Sequence, residues 1–315
     1  MKVTEKLIRR IIGLLEGASI PSSEMKGEWV DTLVQEGVLL RVYSGSRKSY
    51  RLKDRAIFLD YMERHNALLR DPYRALELLG SESARSDIAA DSGDSKSIKA
   101  RACPGFAVNS FHPVSGRLDD KEIVINPMDG TFLFICDWKN FSIPEETVVV
   151  GVENMENFRK VALQRDLFRA CLRVYEETHP GERFSGVGDD CPPLLFVARY
   201  PQSNDLVEWL KTINNPYFHF GDFDLEGIRI FQTEFESRLR DGRRILGYLI
   251  PPDIEARLAN GTRQRYLKQY AYTLNVVSDD PSLGHLISLI RRYRRCYDQE
   301  GYIAKPIESG IISSS

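Results

Sequence analysis

Two patterns of apolar and polar residues divide the chain. In the first ~70 residues apolar side chains recur at helical spacing. Leu7, Ile8, Ile11, Ile12 and Leu15 form one stripe from Thr4 onward, with Thr4 placed to cap it. After the break GASIPSS, the stretch GEWVDTLVQEG puts Trp29, Val30, Leu33 and Val34 on one face and closes at Gly37. VLLRVYSGSRKSYRL then gives two β-rich runs around Ser44-Gly45-Ser46, which predicts a hairpin. Ile57, Phe58, Tyr61 and Met62 mark a further helix. Helices followed by a basic-tipped hairpin describe a small winged helix-turn-helix domain over residues 1–75.

From about 76 to 103 the pattern lapses. GSESARSDIAADSGDSKSIKARAC, residues 80–103, carries almost no large apolar side chain. Such a stretch buries too little surface to offset its ordering entropy, so 76–103 reads as a linker or mobile segment. Residues 104–315 then alternate strand and helix. EIVINP and TFLFICDW are predicted strands joined by a turn at Met128-Asp129-Gly130. VVVGVEN, LLFVARYP, YFHFGDFD and ILGYLIPP are four further strands. Between them lie the helical stretches MENFRKVALQRDLFRACLRVYEE, DLVEWLKTI and LEGIRIFQTEFESRL. Consecutive strand–helix units predict an α/β domain with a parallel sheet flanked by helices. No internal repeat is visible.

Composition narrows the class. Lys and Arg number 43 against 45 Asp and Glu, and no bias of the collagen, coiled-coil or disordered kind is present. No apolar run approaches the ~20 residues that span a bilayer, so no membrane partner is expected. The opening MKVTEKLIRRIIGLLEG has a basic pair inside its apolar stretch and no small-residue cleavage site, unlike a secretory signal. Five scattered cysteines without a CxxC pair argue for reduced thiols, and a cytoplasmic location is the expectation.

Charge is uneven along the chain. Arg238, Arg240, Arg243 and Arg244 form one basic cluster; Arg263, Arg265 and Lys268 a second; Arg291, Arg292, Arg294 and Arg295 a third. Each alone reads as a solvated helix face, but three in the last third point toward a polyanion. In the first domain Glu28, Asp31 and Glu36 would repel phosphate, whereas Arg47, Lys48 and Arg51 in the wing would attract it. Contact with DNA through Arg47 and Lys48, and packing against a partner protein, both remain open.

The candidate chemistry lies at two strand ends. Glu153 closes VVVGVEN; Asp222 and Asp224 close FHFGDFD, with Glu226 two residues later. In open parallel sheets ligands bind beyond the carboxyl ends of the strands. Alternate residues of an extended chain point to one side, so Asp222 and Asp224 can act together. Oxygen donors of this kind suit Mg²⁺, with phosphate supplying further ligands. Gly221 and Gly227 would let the backbone approach a ligand. A pair of turn or N-cap carboxylates is the simpler explanation of Asp222 and Asp224. Glu156, Lys160 and Arg199 are further candidates, the first as an acid near the ion or a helix-start carboxylate, the others as phosphate clamps or surface charges. Asn154 is expected to orient the loop, and His219 to be packed.

The strand–Glu–Asn then strand–Asp-x-Asp pattern resembles the Toprim domain of topoisomerases, bacterial primases and several nucleases. VENMENF and FGDFDLEGIRIF are closer still to the C-terminal domain of the nuclease subunits of Wadjet plasmid-defence systems. The resemblance covers about 104–312. It implies a Toprim-like fold and a divalent-metal-dependent endonuclease acting on duplex DNA. Glu153 would be the general acid/base or a metal ligand, Asp222 and Asp224 the pair holding Mg²⁺ or Mn²⁺, and Glu226 a further acidic position. Glu308 in YIAKPIESGII would match a terminal Glu where the family more often has Glu-Gln-Glu. The DNA would lie along Arg240, Arg243, Arg244, Arg291, Arg292, Arg294 and Arg295. A homodimer would supply two cuts, and SMC-like partner subunits would deliver the DNA. Two alternatives stand beside this reading: topoisomerase VI-like cleavage by a tyrosine, for which Arg47 to Tyr50 is the nearest match, and a non-catalytic DNA-binding assembly subunit.

Overall fold

The computed structural model describes residues 3–80, 103–184, 192–200, 203–240 and 244–307. The chain separates into two compact units, Met1–Cys103 and Pro104–Ser315. Among the described residues no helix is long and apolar enough to cross a membrane.

In the first unit helix α1 (Glu5–Leu15) starts where Thr4 Oγ1 accepts the Leu7 N–H at 3.2 Å. It buries Ile8, Ile11, Ile12, Leu14 and Leu15. The short strand β1 (Ile20–Pro21) follows, then α2 (Glu28–Gln35), which buries Val30 and Leu33. Gly37 turns the chain out of α2 at φ +70°, a conformation that costs glycine little. Strands β2 (Leu39–Ser44) and β3 (Arg47–Leu52) form the expected antiparallel hairpin, and β1 pairs with the other edge of β3. Helices α3 (Arg55–His65) and α4 (Pro72–Gly80) complete the unit around Ile8, Leu33, Phe58 and Met62. The expected linker is corrected at its start: residues 76–80 finish α4, where Leu78 joins the core. Residues 81–102 of that segment lie outside the described residues.

The second unit is built on a six-stranded mixed sheet. Its strands are β4 (Phe106–Asn109), β7 (Leu133–Ile135), β9 (Val148–Val152), β10 (Leu194–Ala198), β11 (Tyr217–Phe220) and β12 (Leu246–Tyr248), in the order β12-β11-β9-β10-β4-β7. The four central and edge strands β12, β11, β9 and β10 run parallel, and β4 and β7 add antiparallel neighbours. Every residue of β9, β10 and β11 is buried, which is why these strands read as unbroken apolar runs rather than as alternation.

Strands β5 (Val114–Leu118), β6 (Lys121–Ile125) and β8 (Phe141–Ser142) form a separate three-stranded antiparallel sheet. This corrects the expected pairing of EIVINP with TFLFICDW. Asp119 and Asp120 both hold positive φ, +49° and +63°, and close a two-residue turn that gives β6 to β5. The later turn at Met128–Thr131 then carries the chain to the main sheet, where β7 pairs with β4.

Helices α5 (Met155–Arg159) and α6 (Arg165–Thr178) follow β9, α7 (Asn204–Leu210) follows β10, and α8 (Leu225–Ile230) follows β11. The single helix expected from Met155 is broken into α5, a 3₁₀ turn Val161–Gln164 and α6. Gln164 holds the break, donating to the Asn157 and Lys160 carbonyls at 3.0 Å and accepting from Asn157 Nδ2 at 2.8 Å. After β12 come α9 (Ile254–Ala259), α10 (Arg263–Gln269), α11 (Pro281–Tyr293) and α12 (Gly301–Ala304).

Candidate active site

Strands β9 and β11 are direct neighbours, and they end together: Val152 lies opposite Phe220, and the next N–H, of Glu153, donates to the Phe220 carbonyl at 3.1 Å. Glu153 and the Gly221–Asp224 turn therefore leave the sheet at one edge. Gly221 makes this junction feasible. A Cβ there would stand 2.8 Å from Glu153 Oε2 and from Tyr248 Oη, and 3.0 Å from His219 Nε2. The glycine makes room for the Glu153 carboxylate. Gly227 serves differently, because its N–H caps onto Asp224 Oδ1 at 2.7 Å and a Cβ would meet the Asp222 carbonyl.

Glu153 is half-buried. Its Oε1 lies 3.7 Å from Arg199 Nη1, and its Oε2 lies 3.8 Å from His219 Nε2 without a hydrogen-bond partner. Burial pushes this carboxyl up, but His219 and Arg199 outweigh it and hold it below the ordinary carboxylate value. His219 is packed, as expected, with Tyr217 Oη 3.3 Å from its Nδ1. Its Nε2 nevertheless faces the acidic centre with no hydrogen bond of its own.

The Asp pair is held much more closely. Asp222 Oδ1 accepts the Gln299 N–H at 3.1 Å and Oδ2 meets Arg265 Nη2 at 2.5 Å. Burial raises the Asp222 carboxyl to about 6, with the neighbouring Asp224 charge adding to the rise and the Gln299 N–H and Arg265 opposing it. Asp224 is fully buried and caps α8 through Oδ1, while Oδ2 accepts from Gln269 Nε2 at 2.8 Å and pairs with Arg265 Nε at 2.9 Å. The N-cap explanation of Asp224 is thus correct as far as it goes, and the same residue also belongs to the acidic centre.

Arg265 is the residue that sequence reasoning missed. Its guanidinium lies across Asp222, Asp224 and Asp298, and the three carboxylates outweigh the cost of its burial and raise its already high pKa. Arg265 and Gln269 stand four residues apart on α10, one face of a helix, which was readable. Nothing local connects that face to Asp222, 43 residues earlier. The segment after α11 is anchored alongside by mutual backbone bonds between Phe223 and Tyr297 at 2.9 and 3.2 Å.

The remaining candidates scatter. Arg199 does reach the site: it forks onto Glu234 at 3.0 and 2.6 Å while facing Glu153. Glu226 is paired with Arg229 at 2.8 and 2.5 Å. Glu156 and Lys160 are joined to each other at 2.6 Å on the surface of α5. Asn154 orients its loop, capping α5 through Glu156 N at 2.7 Å and donating to Glu300 at 2.5 Å.

Several of the arginines expected on DNA hold the fold. Arg244 donates to the Leu210 carbonyl at 2.6 Å, Arg291 to Leu274 and Val276 at 3.0 and 2.7 Å, and Arg295 to Gly261 at 3.2 Å. Arg240 pairs with Glu236, and Arg292 lies 3.5 Å from Glu255. Arg294 ends α11 in the left-handed conformation and is exposed. Arg47 is exposed at the hairpin tip, and Lys48 sits over the Tyr50 ring at 5.5 Å. Arg243 and Glu308 lie outside the described residues. Beside the acidic centre, Leu225, Tyr266, Leu267, Tyr270, Leu274, Arg291 and Arg294 line an open groove of ≈ 390 Å³.

No protein-family model and no curated protein sequence matches this chain.

Whether these residues suit a divalent cation is therefore decided by their own chemistry. Carboxylate oxygens are the donors a hard cation takes, and Glu153 Oε2 is buried without a partner. Against this, among the described residues no group of three His, Cys, Asp or Glu side chains converges to hold a metal. Arg265 further occupies oxygens of both aspartates, so the three carboxylates as they stand do not form a cation site.

Proposed function

We propose that the chain is a metal-dependent endonuclease that hydrolyses phosphodiester bonds of duplex DNA through a Toprim-like domain. The observation that carries this reading is that Glu153 on one side, and Asp222 and Asp224 on the other, follow the carboxyl ends of adjacent parallel strands, β9 and β11. Residues so far apart in sequence reach one edge only because the sheet order brings their strands together. Glu153, Asp222 and Asp224 are the residues that would hold Mg²⁺ or Mn²⁺, and Arg265 would have to release both aspartates for them to do so. Such an ion, when bound, neutralises charge on a phosphate oxygen and lowers the pKa of water.

The chain's own groups supply the rest. Glu153, held ionised by Arg199 and His219, is available to accept the proton of an attacking water. Water oxygen bonds to phosphorus, one P–O ester bond breaks, and the departing oxygen takes up a proton from bulk water, to which Glu153 returns the one it accepted. Arg199 is kept in place by its two-pronged contact with Glu234 and by Ser203, which donates to Glu234 at 2.9 Å. The groove beside the site, with Tyr270, Arg291 and Arg294, offers aromatic and cationic surface to an adjoining strand. The winged-helix character of the first unit, a homodimer, a cytoplasmic plasmid-defence role and SMC-like partners all belong to this proposal.

Tyrosine-mediated cleavage is disfavoured because Tyr50 is a buried residue of β3, 5% exposed. A non-catalytic DNA-binding subunit is the second reading, favoured by one observation: Arg265 already neutralises the aspartates. The experiment is incubation of supercoiled and linear plasmid with the protein in Mg²⁺, Mn²⁺ or EDTA, with the Asp222→Asn/Asp224→Asn protein in parallel. Metal-dependent nicked or linear product with free ends, lost in the double variant, is expected. Mobility shift with no cleavage, in the presence of any partner subunits encoded beside it, would instead establish the binding subunit.

A further inference from the structure

A second set of polar side chains lies behind Glu153, inside the core. Tyr217 and His219 are alternate residues of β11 and project to one face of the sheet. Both are completely buried, in a strand whose other residues are phenylalanines. They are covered by a π-helical turn, Phe231–Glu236, which follows α8. Phe231 lies 5.6 Å from the His219 ring, and Phe235 stacks on Tyr217 at 5.2 Å. Such turns are rare and concentrate at functional sites. This one also carries Glu234, which holds Arg199.

Two glycines open the space that these polar rings need. Gly151 stands opposite His219 on β9, in a run of valines, and a Cβ there would overlap the Tyr217 hydroxyl. A Cβ on Gly221 would crowd His219 Nε2 and Glu153 Oε2 alike, at 3.0 and 2.8 Å. In this slot Tyr217 Oη lies 3.3 Å from His219 Nδ1, and His219 Nε2 lies 3.8 Å from Glu153 Oε2. The last two atoms are buried and neither has a hydrogen-bond partner. Closing the gap by about 1 Å would satisfy both at once. The direction of the hydrogen bonds follows. A bare Nε2 would aim a lone pair at a carboxylate, so the ring hydrogen belongs on Nε2. Nδ1 is then the acceptor and Tyr217 the donor. Burial pushes the Tyr217 phenol well above its ordinary value, so its hydrogen stays in place.

We propose, resting on the reading of Glu153 as the proton acceptor, that Tyr217 and His219 form a buried hydrogen-bonded chain that fixes Glu153 through Oε2 and presents Oε1 to the reacting water. Oε2 is shut off from solvent, so a water reaches the carboxylate at Oε1, on the side of Arg199. What backbone N–H groups do for Asp222 and Asp224, an imidazole N–H does for Glu153. Neither ring touches the substrate; both are positioning residues.

The test uses the full chain labelled with ¹⁵N in its five histidines, read by long-range ¹H–¹⁵N correlation, which shows the ring nitrogen that carries hydrogen. The His219 resonances are those missing from His219→Gln. Hydrogen on Nε2 and a bare Nδ1 are expected. The Nε2 resonance should shift in Glu153→Gln, and the Nδ1 resonance in Tyr217→Phe. Hydrogen on Nδ1, or an Nε2 resonance unmoved by Glu153→Gln, would overturn the chain. Plasmid nicking then reads its effect on Glu153. His219→Leu should lower kcat about ten-fold or more at unchanged KM, as loss of a group that orients an active-site side chain does. His219→Gln keeps an N–H close to the place of Nε2 and should recover most of that loss, which a role in packing alone would not give. Tyr217→Phe removes a single oxygen; its kcat should fall as well, and it decides the question if His219→Leu does not fold. Full kcat in His219→Leu, or in Tyr217→Phe, would overturn the positioning role. Hydrogen on Nδ1 in a protein that cuts DNA sinks the chain alone. Hydrogen on Nε2 in a protein that cuts no DNA supports the chain and sinks the nuclease reading alone.

Discussion

The two strand ends that meet at the acidic centre are held in opposite ways. At the end of β9, Glu153 has one oxygen without a hydrogen bond and looks across to Arg199 and His219 from 3.7 and 3.8 Å. At the end of β11, Asp222 and Asp224 are tied by backbone N–H groups, by Gln269 and by Arg265. The same residue class, one strand apart, is thus loosely placed on one side and structurally committed on the other. The β11 carboxylates build the turn and start the next helix, whereas Glu153 builds nothing. A group that is costly to bury and makes only two long charge contacts is the more direct sign of function.

The largest expected effect comes from the committed side. Asp224→Ala removes the cap of α8, takes one of Arg265's three carboxylate partners and leaves the buried Gln269 amide without its acceptor. Breaking a buried charge pair by deleting one partner typically costs about 3–5 kcal/mol. Urea unfolding should show a loss of that order; a loss below about 1 kcal/mol would mean that the contacts to Asp224 are incidental.

Asp222 sharpens the contrast because its burial works against it. Its carboxyl is raised to about 6 from the ordinary 3.8. A carboxyl raised in the folded state favours folding when protonated, so its contribution is full below about pH 4 and is lost as pH rises through about 6. Asp222→Asn should flatten that part of the stability–pH curve and stabilise the protein at pH 7 by about 1–3 kcal/mol. Stability curves of the two proteins that stay parallel from pH 4 to 7 would show that Arg265 fully compensates the charge.

Parts of this contrast were legible in the chain and parts were not. Glu153, Asp222 and Asp224 stood out because buried parallel strands read as apolar runs, and an acid at the end of each run has few local reasons to be there. The hairpin β2–β3 was legible through Gly45, which takes φ +59° at its turn. Arg265 was visible only as one of many basic residues, since its partner carboxylates lie on a distant strand end. Arg244, Arg291 and Arg295 looked like a phosphate-binding surface, yet each bonds a carbonyl that secondary structure leaves over. Sequence spacing records which residues are charged; packing decides whether the charge meets a backbone oxygen or a solvent-facing ligand. The break between α5 and α6 was hidden for a similar reason, because it depends on the mutual amide contacts of Asn157 and Gln164.

Gly221 offers a way to disturb Glu153 without touching its charge. A Cβ at 2.8 Å from both Glu153 Oε2 and Tyr248 Oη forces one of them to move. Tyr248 is buried and donates to the Asp222 carbonyl at 2.7 Å, so the Glu153 side chain is the one with freedom to yield. Gly221→Ala should cost about 1–3 kcal/mol from overpacking. Metal-dependent cleavage should fall with it, as measured by plasmid nicking. Full activity would mean that the position of Glu153 over Gly221 is not the productive one.

The smallest expected change in stability is the one that best separates the two strand ends. Glu153→Gln keeps the shape, removes the charge and leaves intact every backbone contact that ends β9. The His219 and Arg199 attractions that hold Glu153 ionised are lost, but so is the cost of burying its charge. These opposing effects leave a net loss expected below about 1 kcal/mol. Cleavage should nevertheless be abolished, because a neutral amide cannot accept a proton from water. Small stability loss with complete loss of activity places function on the loosely held side of the centre. A loss comparable to that of Asp224→Ala would instead make Glu153 a structural residue like its neighbours on β11, and the asymmetry between the two strand ends would carry no functional meaning.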